Sequence, residues 1–148
     1  MEDLGGRREP AERPRGGEAH QLAAAALLVE AATMDDSFDA TERATILQLL
    51  SGRFGLSAEE GEELLADAEA EVDRANQLYA FTKPIKDAFG HEERVEVVEM
   101  LWEVAYADGE LHDYEASLIR RVTGLLHVSD RDSGAARKRA LDRLAQQG

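Results

Sequence analysis

From His20 onward apolar residues return along this chain at three- and four-residue intervals, and nowhere do they alternate with polar ones in the two-residue rhythm of a strand. The spacing predicts a first helix over about 18–33, with Leu22, Ala25, Leu28 and Val29 on one face. After the turn MDDSF, Asp39 and Glu42 have the spacing of a capping box opening a second helix, which turns Ile46, Leu49, Leu50 and Phe54 inward and ends between Gly52 and Gly55. Ser57 and Glu60 form a second such box. They open a third helix running to about Arg74, with a narrow apolar stripe of Leu64, Leu65, Ala68 and Val72. A fourth helical stretch, about 76–89, keeps Leu78, Phe81, Ile85 and Phe89 in register. Pro84 lies inside it and predicts a kink or break near Lys83, because proline removes one backbone bond and crowds the preceding turn.

A fifth helix, about 91–107, carries Val95, Val98, Leu101, Trp102 and Ala105, and Asp108-Gly109 supplies the turn after it. A sixth, about 112–126, carries Leu118, Ile119, Val122 and Leu125. Ser129 or Asp130 caps a basic last helix whose apparent apolar contacts are Ala135, Leu141 and Leu144. The fold class is therefore all-α, a compact bundle of about seven helices.

One phrase occurs twice in this pattern. Residues 25–57 and 98–129 align with one residue of slack, matching Leu28 with Leu101, Glu30 with Glu103, Ala32 with Ala105, Asp35 with Asp108, Glu42 with Glu115, Ile46 with Ile119, Gly52 with Gly124 and Ser57 with Ser129. A duplicated unit predicts two pseudo-symmetric halves flanking the proline-bearing segment.

Composition narrows the picture. Apolar residues make up 43% of the 148 residues and aromatics only 5%, so Leu, Val, Ile and Ala must build the core. There is no cysteine, which removes disulfides and thiolate metal sites. Residues 1–17 hold four acids, four arginines and six glycines or prolines, and read as a disordered leader ahead of a helical domain over 18–148. Their charges cancel, so the net charge of -14 belongs to the helical body. Nucleic acid and anionic lipid are unsuited to such a body, because phosphate binding needs clustered Lys and Arg. The apolar run LAAAALLV is far short of the roughly 20 residues of a membrane span. The cytoplasm is the expected compartment.

The repeat also places three acids per half around a helix–turn–helix: Glu30, Asp35 and Glu42, then Glu103, Asp108 and Glu115. An antiparallel hairpin would bring each set to one end as hard oxygen ligands for Ca²⁺, Mg²⁺ or Mn²⁺, with Asp36, Asp39, Glu110 and Asp113 nearby. The same acids also suit plain structure. Asp35 and Asp108 fit tight turns, Glu42 and Glu115 fit the positive end of a helix dipole, and Glu30 and Glu103 fit pairing with a cation across the bundle. The turn is too short for an EF-hand, and there is no Glu-x-x-His pair of a di-iron bundle. His20, His91, His112 and His127 show no i, i+4 pairing, and no phosphate loop or nucleophile–base motif points to an enzyme. The acid-rich third helix reads as a solvated face, with docking of a basic partner as the alternative.

At Leu101-Trp102-Glu103-Val104-Ala105-Tyr106-Ala107-Asp108-Gly109-Glu110-Leu111 with Glu115 following, the chain resembles the TerB-like family of tellurite-resistance protein B domains, and most of all its small stand-alone bacterial members. The resemblance covers nearly all of 20–145, including Leu78-Tyr79-Ala80-Phe81-Thr82 and Arg120-Arg121. It implies an all-helical duplicated fold, no catalytic activity, a tellurite or wider stress context, and a divalent cation held by Asp35 and Glu42 and by Asp108 and Glu115. No other cofactor is implied. The first half departs from the pattern with Met34-Asp35-Asp36 in place of Ala107-Asp108-Gly109, and the last helix departs with Ser133-Gly134 where an apolar pair is expected. Two functions follow as expectations: a non-enzymatic cation-binding stress module, or an adaptor for an unidentified protein partner in which the acids only shape the turns. Oligomeric state is left open by both.

Overall fold

The computed structural model of the chain describes residues 15–33, 40–74, 77–107 and 111–147. Among them are seven helices and no strand: α1 (Arg15–Ala32), α2 (Ala40–Phe54), α3 (Ala58–Arg74), α4 (Tyr79–Ala88), α5 (His91–Ala105), α6 (Asp113–Leu126) and α7 (Asp130–Gln147). Helix α1 begins at Arg15, inside the expected leader, whose remaining residues lie outside the described ones. None of the described helices is long and apolar enough to cross a membrane.

Two helices form the axis of the bundle. Helix α1 packs against α2, α3, α4, α5 and α6, and α5 packs against α1, α2, α6 and α7. Helix α1 does not have the single apolar face expected of it. Every residue from Ala23 to Val29 is buried, because neighbours cover the helix on all sides and the alanines let them approach closely. On α5, the unbroken stretch Val97–Leu101 is buried, followed by Glu103, Val104 and Ala105. Surrounding helices contribute narrower stripes: Ile46 and Leu50 from α2, Leu65 and Ala68 from α3, Phe81 and Ile85 from α4, and Leu118, Ile119, Val122 and Leu126 from α6.

The proline in α4 does not break it. The helix runs continuously from Tyr79 to Ala88 through Pro84. The bond Pro84 cannot donate belongs to the carbonyl of Ala80, an exposed residue, while Phe81, Thr82 and Ile85 anchor the buried side.

The duplication extends beyond a hairpin to three helices, α1–α2–α3 and α5–α6–α7, with α3 packed on α1 and α7 packed on α5. The joints repeat as well. Helix α2 ends in a left-handed Gly55 (φ 64°), and the amide of Leu56 donates to the Ser51 carbonyl at 3.1 Å. Helix α6 ends in a left-handed His127 (φ 59°), and the amide of Val128 donates to the Thr123 carbonyl at 2.9 Å. Both are Schellman ends. Ser57 then accepts the amide of Glu60 at 3.1 Å, and Ser129 accepts that of Asp132 at 3.1 Å. The Ser57 box is complete, since Glu60 also accepts the Ser57 amide at 2.8 Å.

His127 is the residue out of place in this joint, since a side chain in the left-handed region crowds the backbone and glycine does not. His127→Gly is expected to raise stability by about 1 kcal/mol, or the melting temperature by about 3 °C. Thermal unfolding followed by circular dichroism checks it.

Candidate functional site

The six acids singled out by the repeat meet different fates. Asp35 and Asp108, with Asp36, Asp39 and Glu110, lie outside the described residues. Glu30 is half-buried in the last turn of α1, and Asp113 is exposed. Glu42, Glu103 and Glu115 are buried, at 7%, 2% and 4% exposure. A hidden carboxylate needs compensation, because desolvation costs far more than an unpaired charge recovers. The source of that compensation decides what each acid can do.

Glu115 is the third residue of α6, and one of its oxygens accepts the backbone amide of His112, the residue preceding the helix, at 3.2 Å. This is the reciprocal half of a capping box, at the helix end where the dipole favours negative charge. The stacked rings of His112 and Tyr114, 5.2 Å apart, cover the same turn. Glu42 occupies the matching first turn of α2. Neither Glu42 nor Glu115 is without a partner.

Glu103 is compensated by arginines. Its Oε2 lies 2.7 Å from Arg143 on α7 and 3.4 Å from Arg53 near the end of α2. One turn earlier on α5, Glu99 is 3% exposed and takes three guanidiniums: Arg139 at 2.8 Å, Arg143 at 2.7 Å and Arg53 at 3.1 Å. The Glu99 carboxyl lies below its ordinary pKa: burial opposes ionisation, but the hydrogen bond from Arg139 and the charges of Arg53 and Arg143 outweigh it. Burial dominates at Glu103, whose pKa is raised despite Arg143 and Arg53, with the nearby Glu99 charge adding to the rise. With its Oε2 shared between two guanidiniums, Glu103 is an ion-pair partner within the bundle. This is the pairing with a cation across the bundle that the sequence allows for Glu103 beside a ligand role.

The network floors a cleft of about 690 Å³ between α2, α5 and α7, whose lining includes Arg53, Glu96, Glu99, Asp132, Arg139 and Arg143. Glu99 and Arg53 are not among the residues the sequence singles out, and Arg139 and Arg143 stand out there only as part of a basic helix. The signal that could have found them is a match of spacings. Glu99 and Glu103 stand four apart amid Val97, Val98, Met100, Leu101 and Val104, and Arg139 and Arg143 stand four apart on the basic helix.

Helix α7 is docked by the same chemistry. The expected contacts Ala135 and Leu141 are exposed, and the buried residues are Ser133, Ala136 and Ala140. Ser133, where an apolar pair was expected, accepts the Trp102 indole N–H at 3.2 Å. Arg137 donates to the Tyr106 hydroxyl at 2.7 Å, with its guanidinium 5.6 Å from the ring centres of both Trp102 and Tyr106. The apolar reading of this face failed because polar groups hold it.

Among the described residues no group of three His, Asp or Glu side chains is placed to hold a metal ion. The acid-bearing segments 34–39 and 108–110 lie outside those residues.

Such a fold defines a class: an internally duplicated, acid-rich helical module built on two buried axial helices. The chain belongs to the TerB family, since the family model described as tellurite resistance protein TerB matches residues 21–138. No curated protein and no solved structure matches it significantly.

Proposed function

We propose that this chain is a non-enzymatic TerB module of the cytoplasm whose interhelical turns bind a divalent cation in a tellurite or wider stress response. The ligands in this reading are Asp108 and Glu115 in the second half and Asp35 and Glu42 in the first. Glu103 is left out, because the guanidiniums of Arg143 and Arg53 both stand at its Oε2 and their positive charge opposes a cation there. Glu30 is at most peripheral.

The observation that carries the proposal is the burial of Glu42 and Glu115 at matching points of the two halves, each just after an acid-bearing turn. A carboxylate can accept a backbone amide on one oxygen and coordinate a cation through its remaining lone pairs, so capping and ligation are compatible. The donor set is all oxygen and suits Ca²⁺, Mg²⁺ or Mn²⁺ better than a soft metal. Calorimetric titration with Ca²⁺, Mg²⁺, Mn²⁺ and Zn²⁺ is expected to give saturable heat for at least one of the first three. Absence of heat for all four sinks the proposal.

The second reading is a protein-interaction adaptor in which the acids are purely structural. It is favoured by the arginine pairing of Glu103 and by the amide that Glu115 accepts from His112. In that case a partner is captured equally well with and without a chelator present.

A further inference from the structure

The two halves dock their third helices by opposite means, and the difference is instructive. Helix α3 lies on α1 through Gly61, Leu65 and Ala68, with Leu64 and Val72 packed against the core. With the offset that matches Ser57 to Ser129, the corresponding positions of α7 are Ser133, Arg137, Ala140, Ala136 and Leu144. The large apolar Leu65 has become an exposed arginine, and no apolar side chain of α7 larger than alanine is buried. On the facing helix Ala26 and Val29 of α1 correspond to Glu99 and Trp102 of α5, while the acid at Glu30 and Glu103 is common to both. An apolar seam in one half is thus a charged one in the other. Apolar burial locks α3 through a leucine at any ionic strength, whereas at α7 it is limited to the small side chains of Ala136 and Ala140.

The charged seam is also reachable from water. The side chains of Arg139 and Arg143 are 50% and 41% exposed, and their heads open onto the cleft above Glu99. At the front of α7, Asp132 contacts His91 at 2.9 Å with both groups in solvent. Salt screens exposed charges most and partly buried pairs less, so it reaches the His91–Asp132 contact and the half-exposed arginine heads ahead of the buried carboxylates, and it does not weaken an apolar seam.

We propose that α7 is a charge-gated strap, which releases from α5 while α1–α6 remain folded and thereby uncovers Glu99, Trp102 and Glu103. The device is intramolecular, and it stands apart from the cation-binding turns: its failure would leave that reading untouched.

Trp102 is the chain's one tryptophan, held by Ser133 and Arg137 of α7, so its fluorescence reports on the strap directly. The full chain is titrated with NaCl from about 0.1 M to about 1 M, which shortens the Debye length from about 10 Å to about 3 Å. The expected result is a red shift and greater quencher access at Trp102, with amides of α7 exchanging about tenfold faster while those of α3 keep their rates. Arg139→Gln/Arg143→Gln is expected to show the same signature already at low salt. An unchanged Trp102 spectrum across the titration overturns the proposal. So does a change that arrives only together with faster exchange in α3, since that is global unfolding. The wild-type titration decides the matter even where the double variant fails to fold.

Discussion

Truncating Leu28 or Leu101 to alanine is expected to cost about 3–4 kcal/mol each, the range for emptying a fully buried leucine site that relaxes only in part. The two are partners in the repeat, one on each axial helix, and both are 0% exposed. Alanine-rich α1 leaves little room for collapse around Leu28, since the neighbouring residues from Ala23 to Val29 are all packed already. A domain of this size has about 5–15 kcal/mol in total, so either change removes a large share of its stability. Leu141→Ala is the control. At 38% exposure on α7 it is expected to stay within about 0.5 kcal/mol of wild type. Urea unfolding at constant m-value measures all three. A marked inequality between Leu28→Ala and Leu101→Ala would mean that the two axial helices are not energetically equivalent.

Removal of the Arg143 side chain is the second large effect, and it falls on the α5–α7 seam. One guanidinium nitrogen of Arg143 serves Glu99 and Glu103 together, at 2.7 Å from each. Without it the partner left to Glu103 among the described residues is Arg53 at 3.4 Å, and two buried carboxylates one turn apart face each other with less positive charge between them. Breaking a buried pair from one side costs about 3–5 kcal/mol when the orphaned charge stays dry. Arg143 is 41% exposed, so water enters in its place, and about 2–3 kcal/mol is the better expectation. That is roughly 30- to 150-fold in the docking equilibrium of α7, read as lost amide protection in Asp130–Gln147. Glu103→Gln keeps an acceptor for Arg143 and is expected to cost only about 1 kcal/mol. If the two variants lose equal stability, the arginine bridge is not what holds the seam.

These expectations rest on contacts that were unequally visible beforehand. The repeat was legible because Leu28/Leu101, Ile46/Ile119 and Ser57/Ser129 each do a local job, filling a core position or capping a helix, and local jobs leave local spacing. The Ser57–Glu60 box needed only its four residues to be read. Helices α1 and α5 were read as one-faced because periodicity shows where apolar residues recur, and an uninterrupted run such as Ala23–Val29 does not say how many neighbours surround it. Helix α7 was misread for the opposite reason. Leu141 and Leu144 looked like its inner face, while the face is set by small residues at Ser133, Ala136 and Ala140 and by arginines whose partners lie about forty positions away. Long-range charge pairing leaves no period in a sequence. The acid set shared that blind spot. The same spacing that matches Glu30 to Glu103 could not show that two arginines stand over Glu103.

In the proposed function Asp108 and Glu115, and not Glu103, hold the cation of the second half. That assignment is tested most directly by calorimetric titration of Mn²⁺ and Ca²⁺ into wild type, Asp108→Ala/Glu115→Ala and Glu103→Gln, each shown to be folded by circular dichroism. The double variant is expected to lose the second-half binding event, weakened by about a hundredfold or more through loss of two carboxylate ligands. Glu103→Gln is predicted to bind as wild type does, although it is less stable. Undiminished heat in the Asp108→Ala/Glu115→Ala protein, or heat lost in Glu103→Gln alone, would contradict it.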